Sequence, residues 1–406
     1  MIVLAGGDIV LPDRILSNAT LIIDQGRIAA LGAARGTPAG AQVVNAQESY
    51  VVPGFVDVHV HGVEGHDTLD GAGAIAAIAS RLPRYGVTAF CPTTVACGPA
   101  ELETTLEQIA SARVSRARGA ARVLPAHLES NFINPEYKGA QPAACLRSPG
   151  DHAQQGDFSG EDILRLIAAR AADVAILTVA PEVEGVLDLI PRLVRAGHRV
   201  SLGHSGADFD QAVAAIDAGA RHATHLFNRM TPVTHRAPGL AGAVLSHQEV
   251  TAELICDGFH VHPAMSRIAI AAKGIDGVMA ITDGTAGAGM PPGTMTRLGG
   301  RAIRVSDQAA LLDDGTVAGS TLTMDRAFRN IVTLFHASIP DAAVMCSTTP
   351  ARALGLTRFG VIAEGNVADL VVLDRAFRVT RTFIDGEEVY LAGATAYRVG
   401  SRTPAS

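Results

Sequence analysis

The chain has 406 residues, 48% of them hydrophobic and 42 of them glycine, enough for one barrel-sized domain with a large core and a small second domain. Its formal charge of −7 comes from intermingled acids and arginines with no basic run, which argues against nucleic acid or anionic membrane as a general partner. Five scattered cysteines (Cys91, Cys97, Cys145, Cys256, Cys346) without a CxxC pair, no basic leader and no apolar run of spanning length lead to the expectation of a cytoplasmic protein.

In chain order, residues 1–50 alternate short β-like runs (2–4, 19–23, 27–31) with turns at Gly6-Gly7-Asp8 and Asp24-Gln25-Gly26, the pattern of a small antiparallel sheet. Residues 51–357 then alternate strand-like and helix-like segments, the signature of a parallel sheet with helical crossovers. The predicted strands are 54–61, 87–93, 122–129, 174–180, 199–204, 223–227, 251–257 and 278–283, with Ala-rich helices such as 73–85, 101–118, 161–171 and 209–218 between them. Eight such units predict an α/β fold, a (β/α)8 barrel of the TIM type. Residues 358–406 return to short strands, at 368–374 and 381–386, with Asp-Gly turn signals. Neither β-rich end could bury a core alone, so 1–50 and 358–406 are expected to join as one small discontinuous β-sandwich domain.

Barrel enzymes carry their reacting groups at the C-terminal ends of the strands, and polar residues recur there in this chain. His59 and His61 alternate along the first strand, so they share a face and can hold one metal ion. Glu129 ends strand three, His204 ends strand five, His225 and Asn228 follow strand six, and Asp283 ends strand eight. A single histidine at a strand end is ordinarily structural, and Asp283 before Gly284 read alone is a turn residue. So many ligand-type side chains at the same ends of one barrel instead predict a metal-dependent active site. His66, His127, His152, His198, His222, His235, His247, His262 and His336 have no usable ligand spacing and read as structural or surface residues.

A closer likeness lies in Pro53-Gly54-Phe55-Val56-Asp57-Val58-His59-Val60-His61-Gly62, His127-Leu128-Glu129, Gly203-His204-Ser205, Thr224-His225-Leu226-Phe227-Asn228-Arg229-Met230, Arg236-Ala237-Pro238-Gly239, Asp257-Gly258-Phe259-His260-Val261 and Thr282-Asp283-Gly284-Thr285. In this order and over most of the chain they resemble the amidohydrolase superfamily and, within it, the N-acetylglucosamine-6-phosphate deacetylases. The resemblance implies that Glu129, His204 and His225 hold a principal divalent ion and that His59 and His61 complete a second position, giving one or two ions per subunit. Zinc fits such a nitrogen and oxygen set best, with iron or another divalent ion as alternatives. Many amidohydrolases bridge two metals through a carboxylated lysine after strand four, but the two lysines here, Lys138 and Lys273, lie elsewhere, which leaves Glu129 as the carboxylate ligand.

The same resemblance implies that Asp283 moves the proton in amide hydrolysis, and that Asn228, Arg236, His260 and the backbone around Arg229 bind the phosphate of an amino-sugar phosphate. Gln141 matches a place near the acyl carbonyl. Arg236 is expected to reach the site of a neighbouring subunit, which implies a homodimer. The substrate expected is N-acetylglucosamine 6-phosphate. The alternatives are N-acetylgalactosamine 6-phosphate, another amide, or a non-catalytic binding protein built on the same fold. Two departures, Ser130-Asn131 in place of Gly-Pro after Glu129 and Arg229 in place of a common alanine, are expected beside the sugar pocket.

Overall fold

Eight parallel strands form a barrel in the computed structural model, which describes residues 1–33, 38–151 and 157–394. They are Phe55–Val60, Val87–Thr94, an interrupted third strand (Arg122–Val123 and Ala126–Glu129), Val174–Val179, Arg199–Leu202, His222–Ala223, Thr251–Ile255 and Val278–Ile281. Neighbours in this order are paired, and the ring closes where Val60 bridges Gly284 and the Asp283 N–H donates to the His59 carbonyl at 2.9 Å. Buried Asp57 reinforces that seam by accepting from the Thr282 hydroxyl at 2.6 Å. Strands such as Phe55–Val60 and Val87–Thr94 are buried throughout, because side chains fill the inside of the barrel and helices cover the outside.

Local chemistry sets where the covering helices begin. Asp208 accepts from the Gln211 N–H at 2.9 Å while the Gln211 side chain accepts from the Asp208 N–H at 3.0 Å, a capping box that starts helix Phe209–Asp217 five residues after His204. Ser159 and Asp162 do the same for helix Gly160–Ala169.

The predicted strands run too long at the mouth of the barrel. His61, His204, His225 and Asp283 all lie past the last ladder residue, and the last three adopt φ values of 47°, 29° and 47°. A left-handed residue cannot continue a ladder. It turns the chain, at roughly 1–3 kcal/mol of backbone strain per residue, so that the side chain is presented at the mouth.

The chain termini share a second sheet. Its order is Glu387–Leu391, Val379–Ile384, Leu370–Leu373, Tyr50–Pro53, Ile2–Val10, Ile15–Asp24 and Arg27–Ala33, with Gln42–Asn45 also beside Ile2–Val10. The N- and C-terminal halves meet where Leu370–Leu373 runs antiparallel to Tyr50–Pro53. Leu4, Leu21, Ile28, Val51, Leu370 and Phe383 belong to a core separate from that of the barrel. This is the small β-sandwich domain. Asp385 and Gly386, with φ of 51° and 73°, make the two-residue turn between the last two strands. Gly6-Gly7-Asp8, by contrast, does not turn: strand Ile2–Val10 runs through it with register shifts around Gly7, a bulge made possible by the φ of 76° at Gly6.

An antiparallel sheet of Met295–Leu298, Arg301–Val305 and Ala310–Leu311 follows the eighth barrel strand and has no counterpart among the predicted elements. Its sequence signal is Gly299-Gly300, both at positive φ, between two short runs. No helix among the described residues is long and apolar enough to cross a membrane.

Candidate active site

At the C-terminal mouth of the barrel, side chains from four strand ends gather around Glu129, at the end of a fifth. Glu129 Oε1 lies 2.8 Å from His204 Nε2 and 2.9 Å from His225 Nε2, and those nitrogens are 3.1 Å apart. On the other side, His59 Nε2 and His61 Nε2 are 3.3 Å apart, with Glu129 Oε2 3.4 Å from His61. Asp283 Oδ1 stands 3.4 Å from His59 Nε2 and 3.3 Å from His61 Nε2. Imidazole nitrogens that face each other at this range need a proton or a cation between them, since two lone pairs repel and two N–H groups clash. Ligands about 2.0–2.1 Å from a tetrahedral ion stand about 3.3–3.4 Å apart, so both histidine pairs fit a divalent ion. Glu129 adjoins both pairs. The donors are all nitrogen and oxygen, and the five cysteines are free and outside these groups.

Burial works against charge throughout this cluster, yet the cluster is ionic. Burial alone would raise the Glu129 pKa, but His204, His225 and His61 hold the carboxyl well below its usual range. Asp283 is buried too, and His59 and His61 hold it down. Burial lowers the pKa of His59 and His61 in turn, but the surrounding carboxylates outweigh it and raise the two to about 9 and about 10. Three carboxylates among imidazoles attract cations, and protons compete with metal ions for the same nitrogens.

The third carboxylate, Glu253, is absent from the residues predicted for the site. It is fully buried in strand Thr251–Ile255 and accepts from His59 Nδ1 at 2.8 Å, His222 Nε2 at 2.9 Å and the His225 N–H at 3.1 Å. His127 Nδ1 lies 3.6 Å from it. His127 and His222, structural residues on the sequence reading, thus form the floor beneath the candidate metal-ligand cluster, while His152 lies outside the described residues. The signal for Glu253 was an acid within an otherwise apolar barrel strand, a placement that costs several kcal/mol unless the charge is paired.

A cavity of about 530 Å³ opens above the cluster. His61, Glu129, His204, His225 and Asp283 line it together with Gln141, Asn228, Arg229, Phe259 and His260. Gln141 is buried; its Nε2 donates to Glu129 Oε2 and its Oε1 accepts from the Ala96 N–H at 2.8 Å, so its side chain braces the carboxylate. Segment 225–229 is contorted, with His225, Phe227 and Arg229 all at positive φ. Within it the N–H groups of His225, Leu226 and Asn228 donate to the Glu253 carboxylate, the Glu253 carbonyl and the His225 carbonyl. Arg229 lies over Gly139, where an added Cβ would come within 2.8 Å of its Nε. His260 Nδ1 bonds Asp257 Oδ2 at 2.6 Å, while its buried Nε2 has no partner in the chain.

One expectation differs from the structure. Ser130 and Asn131 are buried and absent from the cavity lining: the Ser130 hydroxyl donates to the Thr178 carbonyl at 2.6 Å, and Asn131 Nδ2 to the carbonyls of Cys97 and Cys145 at 2.8 and 2.7 Å. Their hydroxyl and amide groups are used to tie loops together behind the pocket, so of the two departures Arg229 alone faces it. Arg236 is exposed and does not line the cavity of its own chain.

Comparison with known proteins agrees with this geometry. Residues 50–389 match the model of the amidohydrolase family. The chain is 33% identical over 390 residues to the N-acetylglucosamine-6-phosphate deacetylase of Bacillus subtilis, covering 95% of this chain and 96% of the relative. It is 36% identical over 375 residues to the N-acetylgalactosamine-6-phosphate deacetylase of Escherichia coli O157:H7, covering 92% and 95%. Among solved structures, a mutant N-acetyl-D-glucosamine-6-phosphate deacetylase from Mycobacterium smegmatis in complex with N-acetyl-D-glucosamine-6-phosphate superposes with a TM-score of 0.86 at 34% identity, covering 96% of this chain and 99% of the other. With its ligand-type residues gathered at the mouth of a (β/α)8 barrel, the chain belongs to the amidohydrolase family and, within it, to the N-acetylglucosamine-6-phosphate deacetylases.

Proposed function

We propose that this protein is a cytoplasmic, metal-dependent hydrolase that removes the N-acetyl group of N-acetylglucosamine 6-phosphate, releasing acetate and glucosamine 6-phosphate. The observation that carries this reading is the ring of Glu129, His204, His225, His59 and His61 with Asp283 at the base of a cavity whose wall presents Arg229 and His260. In this reading Glu129, His204 and His225 hold the principal ion, zinc by preference, and His59 and His61 hold a second. A divalent ion there supplies Lewis acidity, which polarises a carbonyl and lowers the pKa of water to about 7.

The residues do the rest. Asp283, kept ionised by His59 and His61, takes the proton of the attacking water on its carboxylate. It then returns that proton to the nitrogen as the C–N bond breaks. His260 serves the other end of the substrate: burial opposes its charge, but Asp257 raises its pKa, and with Nδ1 bonded to Asp257 the free Nε2 offers a donor to a phosphate. The backbone around Arg229 and the Arg229 guanidinium supply further donors in this chain.

Arg229→Ala is expected to raise KM for the phosphorylated sugar by roughly ten- to a hundredfold with little change in kcat, as loss of one charge-assisted hydrogen bond of about 1.5–3 kcal/mol predicts. Steady-state kinetics on the sugar with and without its phosphate checks this, and an unchanged KM would remove Arg229 from the phosphate site.

The exposed position of Arg236 supports a homodimer in which it completes the partner's cavity. Arg236→Ala and Asp283→Asn chains should each be nearly inactive alone. Mixed after unfolding and refolding together, they should recover activity in roughly a quarter of the sites, because half the dimers are mixed and one site of each mixed dimer is intact. No recovery from a properly refolded mixture would place Arg236 outside the neighbouring site.

Acetate release from N-acetyl amino sugars with and without a 6-phosphate, by zinc-loaded protein, tests the whole reading. The E. coli relative favours a second reading, with the galactosamine epimer as substrate, and faster cleavage of that epimer would select it. No cleavage of any phosphorylated amino sugar would overturn both.

A further inference from the structure

Beneath the metal-ligand cluster, a line of hydrogen bonds crosses the barrel and ends on His59. It starts at half-buried Arg199, on the fifth strand, whose Nε donates to His222 Nδ1 at 2.9 Å. Arg199 Nη2 also donates to the Arg221 carbonyl at 2.7 Å and the Thr251 hydroxyl at 3.0 Å, which fixes the guanidinium. Because arginine can only donate, His222 Nδ1 is the acceptor and the neutral ring carries its proton on Nε2. That N–H points at Glu253 Oε1, 2.9 Å away. The other oxygen, Oε2, faces His59 Nδ1 at 2.8 Å and takes the His225 N–H at 3.1 Å. An ionised carboxylate only accepts, so a proton stays on His59 Nδ1, and Nε2, turned towards His61, is the nitrogen that can exchange its proton for a metal ion.

We propose that Glu253 is a positioning residue for the second metal position. By fixing the tautomer of His59 it makes His59 and His61 a ligand pair, and Arg199 and His222 hold Glu253 in the orientation that does so. The proposal rests on the metal reading above and deepens it. Glu253 touches neither the cavity nor the proposed substrate; it acts through His59. Its bond to the His225 N–H ties the same carboxylate to a ligand of the principal ion, at a backbone φ of 29°.

Glutamine at this position is the informative change. Two donors, the N–H of His222 and the N–H of His59, converge on two carboxylate oxygens, and an amide offers one oxygen and one NH2. One of the two bonds must therefore fail, or His59 must move its proton to Nε2 and cease to be a ligand.

The measurement is zinc per chain by elemental analysis after reconstitution and dialysis, with competition titration of each ion and a thermal melt of the same samples. The wild-type chain should hold two ions. Glu253→Gln should keep the first and bind the second about 10–100-fold more weakly. Arg199→Met should weaken the second ion in the same direction, and Arg199→Lys, which keeps an N–H donor, should restore it. Should Glu253→Gln fail to fold, the Arg199 pair decides alone. A folded wild-type chain that binds no ion overturns the metal reading and this assignment with it. Variants that bind the same number of ions as the wild type, with unchanged affinities, overturn this assignment alone, even where their melting temperatures fall.

Discussion

Asp283→Asn is expected to lower turnover by about a hundred- to ten-thousandfold, the usual contribution of a positioned acid or base, while the ion proposed for Glu129, His204 and His225 stays in place. The substitution isolates the chemistry because the backbone needs nothing from the carboxylate. Asp283 sits at φ 47°, a conformation asparagine tolerates better than most residues. Its N–H donates to the His59 carbonyl and its own carbonyl accepts from the Ser320 N–H at 2.8 Å, and both bonds survive the change. Asparagine fills the same volume but cannot take a proton at neutral pH. Steady-state kinetics and metal analysis on one preparation test the expectation. Retained turnover would show that another group moves the proton, and lost metal would show that Asp283 is a ligand first.

Glu129→Gln should have the second large effect, by a different route. One Glu129 oxygen is shared by His204 and His225 and the other lies towards His61 and Gln141, so this carboxylate adjoins both proposed ion positions. Glutamine removes the charge and one of the two acceptors. Loss of an outer partner alone costs about 10–100-fold in metal affinity, so loss of the shared ligand is expected to cost at least about 100-fold for the principal ion. Zinc per chain should fall after dialysis and turnover should fall with it, with partial recovery in excess zinc. Full zinc content in the variant would remove Glu129 from the ligand set. Together the two substitutions separate proton transfer from metal binding, since one leaves the ion and the other removes it.

The barrel was legible because each of its elements is written locally. A buried parallel strand is a short apolar run, a covering helix is an Ala-rich segment, and a capping pair such as Asp208 and Gln211 marks where helix begins. The candidate metal ligands were legible for a related reason: histidines and acids at five of eight equivalent strand ends stand out against apolar neighbours. The spacing of His59 and His61 carries its own geometry, since alternate residues of a strand share a face.

Other features depend on contacts that no local pattern records. Glu253 looks like one polar residue in an apolar strand until His59, His222 and His225, from 194, 31 and 28 residues away, surround it. Ser130 and Asn131 follow Glu129 in sequence, but their hydrogen bonds turn them into the wall behind the pocket. Arg229 and His260 meet at one cavity only because the barrel closes.

The sequence by itself determined the eight-unit barrel, the joining of the two β-rich ends and the residue types at the strand ends, because periodicity and turn chemistry act over a few residues. Only the tertiary structure decided that His204, His225 and Asp283 leave their strands through left-handed backbone, that Glu129 adjoins both histidine pairs, and that Arg199, His222 and Glu253 form a hydrogen-bonded line ending on His59. Those features depend on the distances and directions of hydrogen bonds between residues far apart in the chain, which exist once the ring has closed.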